Sequence, residues 1–445
     1  MIAFLQAANC SNYPGSWRHA HTHSDFLSAD YFQRIARTLE AGKFHLAFFD
    51  DRLAMPDRYG DDVEATLEHG IRAVKFDLIP IMTAMGLATE RLGIGGTYST
   101  TYYEPFHVAR VFASLDHMIK GRAAWNVVTS LNDSEAANFG FDSHPEHDKR
   151  YDRADEFMRA VLGHWDSWDA DALVLDRASG RFADASKVRR LNHVGEFFKT
   201  RGPFTVPRSP QGRPVVIQAG QSGRGRQFAA RWGELVFAIM HSEEFGRTIR
   251  QQLRDEVASI GRNPDEVRIA PAVYTIVGET QTMAEEKAAY VEGLAEGIDT
   301  LVLLSEALNF DFATKGLNDP FTDDELNNIS GLQAIRDRVV GVSGKPNPTS
   351  QDFIDYSGRG TVHEVPCFVG SPSQVADQME SWFVGGACDG FVLAATHIPG
   401  GYEDFVRLVV PELQRRGLYH NDYRGGSLRE TLGLAHPDPY DWKFD

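Results

Sequence analysis

A chain of 445 residues, 42% hydrophobic and 24% charged, has a globular composition and length for two average domains or one large α/β barrel with insertions. Its 62 acidic residues outnumber 45 basic ones, and the net charge of −17 argues against nucleic acid or an anionic membrane surface as the main partner. The three cysteines, Cys10, Cys367 and Cys388, are odd in number and lack CxxC spacing, so they support neither a disulfide framework nor a zinc knuckle. The opening residues, MIAFLQAANCSNYPGSW, have no basic segment and too short an apolar run for a signal peptide or membrane span. A cytoplasmic protein with no membrane contact is expected.

Residues 2–8 read as a buried strand, followed by a loop rich in Asn, Ser, Pro and Gly that carries Trp17, Arg18 and His19. Over 30–41 the periodicity is helical, with Phe32, Ile35, Ala36 and Leu39 on one face and Gly42 as the stop. Residues 45–49 form the next strand and run into Asp50 and Asp51. A polar stretch, 52–68, leads to an apolar segment, 71–88, which reads as a helix despite Pro80. Residues 92–99 are the third strand, 105–118 a helix with Pro in its first turn, and 123–128 the fourth strand. That fourth run stops abruptly at Thr129 and Ser130 and hands over to hydroxyls and amides before a new helix, 150–165. A strand that ends in hydrogen-bonding residues is how a barrel enzyme presents its chemistry.

A hairpin-rich insertion spans 172–213. Strands are then read at 215–218, 235–240, 269–277 and 390–395, with helices at 223–232 and 243–260 between the first three. Eight strands alternating with helices predict an α/β fold of the (β/α)8 TIM-barrel type, occupying residues 1–445 as one domain. Between 283 and 361 the alternation is lost, and 341–359 is dense in Gly, Pro, Ser and Asn. An insertion of that length is expected to be a lid or an assembly surface.

The candidate chemistry lies at strand ends. Asp51 closes an apolar strand, where an acid caps a following turn or faces a site. Thr97 lies on the third strand, where a lone Thr is ordinarily packing. His147 and Tyr151 are four apart and share a helix face, either gripping an anion at a helix start or merely making that start polar. Gln218 to Gly225 reads QAGQSGRG, a strand running through small residues into a helix, in the position where barrels bind phosphate. It is neither a Walker A loop nor a complete GxGxxG fingerprint. No zinc motif, nucleophile elbow or kinase set is present, so no metal is expected and the chemistry points to a bound cofactor.

Four stretches, TYSTTYYEPFHVARVFASLDHMIKGRAAWNVVTSLNDSEAANFG, PEHDKRYDRADEF, SPQGRPVVIQAGQSGRGRQFAA and VVPELQRRGLYHNDYRGGSLRETLGL, closely resemble the bacterial-luciferase-like superfamily. Within it the resemblance is to the nitrilotriacetate, dibenzothiophene sulfone and long-chain alkane monooxygenase group. It implies a two-component monooxygenase that takes reduced FMN (FMNH2) from a separate NAD(P)H:flavin reductase and uses O2 on a small organic, aromatic or organosulfur substrate. It also implies a homodimer or homotetramer. By the same matching, FMN contacts fall on Asp51, Thr97, Ser130, His147, Tyr151, Gln218 and Ser222, and Asn126 is the strand residue near the flavin and oxygen pocket. The chain departs from its relatives at 11–14 and at 71–80, both expected to face the substrate. A deazaflavin-dependent oxidoreductase and a non-catalytic flavin-binding protein are the alternative readings of the same barrel.

Overall fold

The computed structural model describes residues 1–130, 132–221, 223–329, 332–358 and 365–443. Eight parallel strands close into a barrel: β1 (Ile2–Leu5), β2 (Leu46–Phe49), β3 (Gly93–Ser99), β4 (Ala123–Val128), β5 (Val215–Gln218), β6 (Leu235–Ala238), β7 (Arg268–Val277) and β8 (Val392–Ala394). Each pairs with its neighbours in sequence order, and β8 pairs back onto β1 with Val392 opposite Ile2. All eight predicted strands are therefore present, with ends trimmed by a few residues. A further strand, Cys367–Gly370, was not predicted. It lies outside the ring, against the C-terminal extension of β7, with Cys367 opposite Tyr274.

These segments are strands because both faces are covered, so nearly every position is apolar or small. Ile2, Leu46, Ala124, Val215 and Ile217 fill the interior, while Leu5, Phe49, Ile94, Trp125 and Val216 pack outward on the helices. Across the middle of the barrel the rings of Phe4, Phe48 and Phe237 meet at centroid distances of 5.4 to 5.9 Å. The β3 backbone comes closer than a side chain would allow. A Cβ on Gly95 would lie 3.2 Å from Ala124 Cβ and from Ile217 Cδ1, and one on Gly96 2.4 Å from Met82 Sδ.

The N-terminal end of the barrel is plugged by the chain's own C-terminal segment. Leu428 and Leu434 join the interior cluster, and Arg429 reaches Glu234 at 2.6 Å in full burial. With that end sealed, the loops at the C-terminal ends of the strands are the face left for chemistry.

One predicted helix starts later than expected. The segment read as helical over 71–88 is helical only over Leu78–Leu87, with Asp77 Oδ1 accepting from Ile79 N at 2.9 Å as its cap. Pro80 decides this: it is tolerated in a first turn, where its missing N–H has no partner to lose, and not in a helix interior. The released residues form a loop over the barrel mouth.

The predicted insertion at 172–213 holds two short hairpins. Between β7 and Cys367 the chain forms helices Gln281–Gly293, Gly297–Leu308, Asp323–Asn328, Gln333–Ser343 and Ser350–Tyr356. They have a core of their own, including Leu304, Phe312, Phe321, Val339 and Phe353. Helix Gly297–Leu308 is tied to the strand-end loops by Arg18–Asp299 and Arg52–Glu306 ion pairs, each at 2.6 Å. The end of the predicted insertion, 359–361, lies outside the described residues.

Candidate active site

The register of β3 on β4 sets Thr97 directly opposite Asn126, both 4% exposed. Thr97 Oγ1 donates to the Phe49 carbonyl at 2.7 Å and accepts from Asn126 Nδ2 at 2.9 Å. That bond fixes the Asn126 amide with its Oδ1 free, and among the described residues this buried acceptor has no partner. An orphaned acceptor of this kind costs about 1–3 kcal/mol, so it suits a ligand donor. One step further along, Ser130 adopts a left-handed backbone (φ 59°) and its hydroxyl donates to Ser99 Oγ at 2.9 Å.

Asp51 follows β2, and its Oδ1 accepts from Arg52 N at 2.9 Å. Burial pushes its carboxyl up, the Lys75 ammonium pulls it back in part, and the result is about 7. The proton on this acid is therefore exchangeable near neutrality.

The β5 end carries the second half of the site. Gln218 is buried; its Nε2 donates to the Val127 carbonyl at 3.3 Å and its Oε1 accepts from Gly220 N. Gln221 pins the turn to the end of β6 by exchanging two hydrogen bonds with Ile239, at 2.7 and 3.0 Å. Both flanking glycines are required by space. A Cβ on Gly220 would lie 2.3 Å from the Gly225 carbonyl oxygen, and one on Gly225 2.9 Å from Tyr151 Oη. The turn, the start of helix Gly223–Trp232 and Tyr151 thus converge. Ser222 lies outside the described residues.

His147 begins the helix His147–Trp165 and stands 5.0 Å from the Tyr151 ring, but 58% of its side chain is exposed and its Nδ1 meets Asp148 at 2.9 Å. It sits on the rim. The predicted residues therefore form two groups on adjacent strand ends: Asp51, Thr97, Asn126 and Ser130 at β2 to β4, and Gln218 with Tyr151 and His147 around the glycine turn.

Other polar groups at this mouth went unpredicted. Tyr102 Oη and His144 Nδ1 are 2.8 Å apart, His144 Nε2 is buried without a partner among the described residues, and burial lowers the imidazole's pKa. Arg150 is buried beneath them and donates to the Ser130 carbonyl. His144 lies in the polar loop after β4, Tyr102 in the loop after β3 and Arg150 in the first turn of helix His147–Trp165, and only their nearness to strand ends hinted at them. On another part of the rim His19, His21 and His397 bring ring nitrogens within 4.8 Å of one another. The His19 and His397 rings stack at 3.5 Å and 13°, which sets their nitrogens side by side rather than aimed at one centre.

Against known proteins, the family described as luciferase-like monooxygenase matches residues 9–388. The chain belongs to that family. It is a flavin-dependent monooxygenase, and the resemblance drawn from its motifs is confirmed. Dibenzothiophene-sulfone monooxygenase of Rhodococcus erythropolis is 44% identical, over 98% of this chain and 97% of that protein. Nitrilotriacetate monooxygenase component A of Aminobacter aminovorans is 37% identical, over 98% and 96%. A solved structure of riboflavin lyase with modified FMN and substrate riboflavin superposes with a TM-score of 0.86 at 30% identity, covering 98% of this chain and 96% of that one. Among the described residues no helix is long and apolar enough to cross a membrane.

Proposed function

We propose that the chain is the oxygenating component of a two-component system, using FMNH2 from a separate NAD(P)H:flavin reductase and O2 to oxygenate a small organic, aromatic or organosulfur compound. The observation that carries this reading is the juxtaposition, on adjacent strand ends, of an orphaned buried acceptor at Asn126 with a glycine turn that a single Cβ would fill. A flavin needs both: a backbone cradle for its phosphate and a polar, water-poor place for its ring.

The N–H groups of the turn, Tyr151, Ser130 and His147 would hold the phosphate. Asp51, Thr97 and Asn126 would face the ring or the ribityl chain, with Gln218 beneath the turn. Reduced FMN, once bound, supplies the electrons that activate O2. The protein's part is to orient and to exclude water. Thr97 holds the Asn126 amide in one orientation, so its Oδ1 meets a donor without reorganisation. Asp51 can keep or release a proton on its carboxyl near neutral pH. The helical insertion, tied down at Arg18 and Arg52, is proposed to cover the mouth as a lid on this single-domain barrel. A cytoplasmic homodimer or homotetramer completes the reading.

An anaerobic titration with photoreduced FMN, followed by mixing with O2 in the presence of a substrate panel, tests it. Saturable binding and oxygenated product are expected, with weaker flavin affinity in Tyr151→Phe and His147→Ala. Binding of a deazaflavin in preference to FMN would overturn the proposal, and unchanged affinity in both variants would remove those residues from the site.

A further inference from the structure

Arg72 lies in the loop between β2 and helix Leu78–Leu87, with φ 53°. The left-handed region penalises a residue with a Cβ, and such strain persists where the surroundings impose it, often at functional sites. The charged side chains around the same mouth are already committed: Arg18 to Asp299 at 2.6 Å, Arg52 to Glu306 at 2.6 Å and Lys75 to Asp50 at 2.8 Å. Arg72 alone of these four cations has neither hydrogen bond nor ion pair among the described residues. Yet it is half-buried and lines, with Cys10, Tyr13, Ile71 and Asp299, whose carboxylate is neutralised by Arg18, a cavity of about 20 Å³, room for one oxygen of an anion.

The field of this guanidinium reaches three elements, acting on Cys10 after β1, on Tyr274 of β7 and on Arg52 after β2. After burial, its charge is the largest influence lowering the Arg52 pKa. Of these two neighbouring cations Arg52 is paired with Glu306 and Arg72 is not, which leaves Arg72 the one open to an anion. Asp50 acts on the same three groups, but its carboxylate already accepts from Lys75. A solvated surface arginine would not crowd a buried cation in this way. In the ring, β2, which leads into the Arg72 loop, stands three strands from β5, so this charge is away from the glycine turn that is proposed to hold the phosphate.

We propose that Arg72 anchors an anion subsite, and that the substrate of the oxygenation proposed above carries a carboxylate, sulfinate or sulfonate. The substrate class rests on that functional reading; the subsite does not. The guanidinium would donate to the one anion oxygen that the cavity admits, a charge-assisted hydrogen bond that a neutral group forms less strongly.

The test is calorimetric titration of the FMN-loaded protein with benzenesulfonate and with its neutral counterpart benzenesulfonamide, in wild type, Arg72→Gly and Arg72→Lys. Glycine suits φ 53°, so Arg72→Gly should keep its fold and melting temperature. Expected is a preference for the sulfonate of about tenfold or more in wild type, abolished in Arg72→Gly, partly kept in Arg72→Lys, with FMN affinity unchanged in all three. Equal binding of the two probes by wild type, or an undiminished preference in Arg72→Gly, would overturn the subsite. A loss of FMN affinity in Arg72→Gly would overturn it too, by assigning the arginine to the flavin. Should wild type not bind FMN at all, the same titrations on flavin-free protein still decide the subsite, and only the substrate class falls.

Discussion

Asp51→Asn is the substitution for which structure predicts both sign and size. The carboxyl's ordinary value, 3.8, is raised to about 7 mainly by burial. Below the lower value Asp51 is protonated in both folded and unfolded chains and is neutral in its effect. As pH rises from about 4 towards 7 the unfolded chain ionises first, so the folded state loses stability over that window and the loss is complete above it. At about 1.4 kcal/mol per tenfold change, the limit for a sealed carboxyl is about 4 kcal/mol, and the partial exposure of Asp51 leaves about 2. An asparagine cannot ionise, and its Oδ1 still accepts from Arg52 N. The variant should therefore match wild type near pH 4 and exceed it by about 2 kcal/mol at pH 8. Denaturant unfolding of the flavin-free protein at the two pH values measures this, with the other titrating groups cancelling in the difference. An offset of the same size at both values, or a variant less stable at pH 8, would refute a raised Asp51.

Thr97→Val keeps the shape of the side chain but strips the partner from both the Phe49 carbonyl and Asn126 Nδ2; about 1–3 kcal/mol of stability should go, and a melting temperature equal to wild type would show those groups are satisfied otherwise. Asn126→Ala should depress product formation more than it alters flavin affinity, read by titration alongside turnover; equal loss of both would mean its role is structural. Gly220→Ala forces a Cβ to 2.3 Å from the Gly225 carbonyl oxygen, so the turn must open, and FMN affinity should fall about tenfold or more; retention of wild-type affinity would take this turn out of the phosphate site. At the plugged end, burial pushes the Glu234 carboxyl up but the Arg429 charge and hydrogen bonds outweigh it, leaving it at about 2. Arg429→Met should cost about 3–5 kcal/mol at neutral pH by stranding that carboxylate, and wild type's advantage should shrink as pH falls from 4.5 towards about 2; a pH-independent loss would mean packing alone is responsible.

The parts of this fold that were legible are those where one residue's surroundings decide its type. A strand covered on both faces must be apolar throughout and must turn polar where it leaves the barrel. The eight runs, and Asp51, Thr97 and Asn126 at or near their ends, could therefore be read one segment at a time. The partnership of Thr97 with Asn126 could not, because it depends on the register of β3 on β4 and not on either residue's neighbours in sequence. The same holds for Gly95 and Gly96, which look like weak points in a strand and are the places where Ala124, Ile217 and Met82 need the room. The strand Cys367–Gly370 was missed because four residues beside a polar stretch carry no period, and only the overhang of β7 makes them pair. The late start of helix Leu78–Leu87 is legible in Pro80, whose preference for a first turn outweighs the apolar run before it. Arg72 is the opposite case. As a letter it is one of many charged residues, ordinarily solvated; its left-handed backbone, its neighbours' completed ion pairs and its place among three strand ends give it meaning, and each of those is a property of the folded chain. Sequence reading thus placed the scaffold and the polar strand ends, whereas the loop conformations over the mouth are determined only by tertiary contacts.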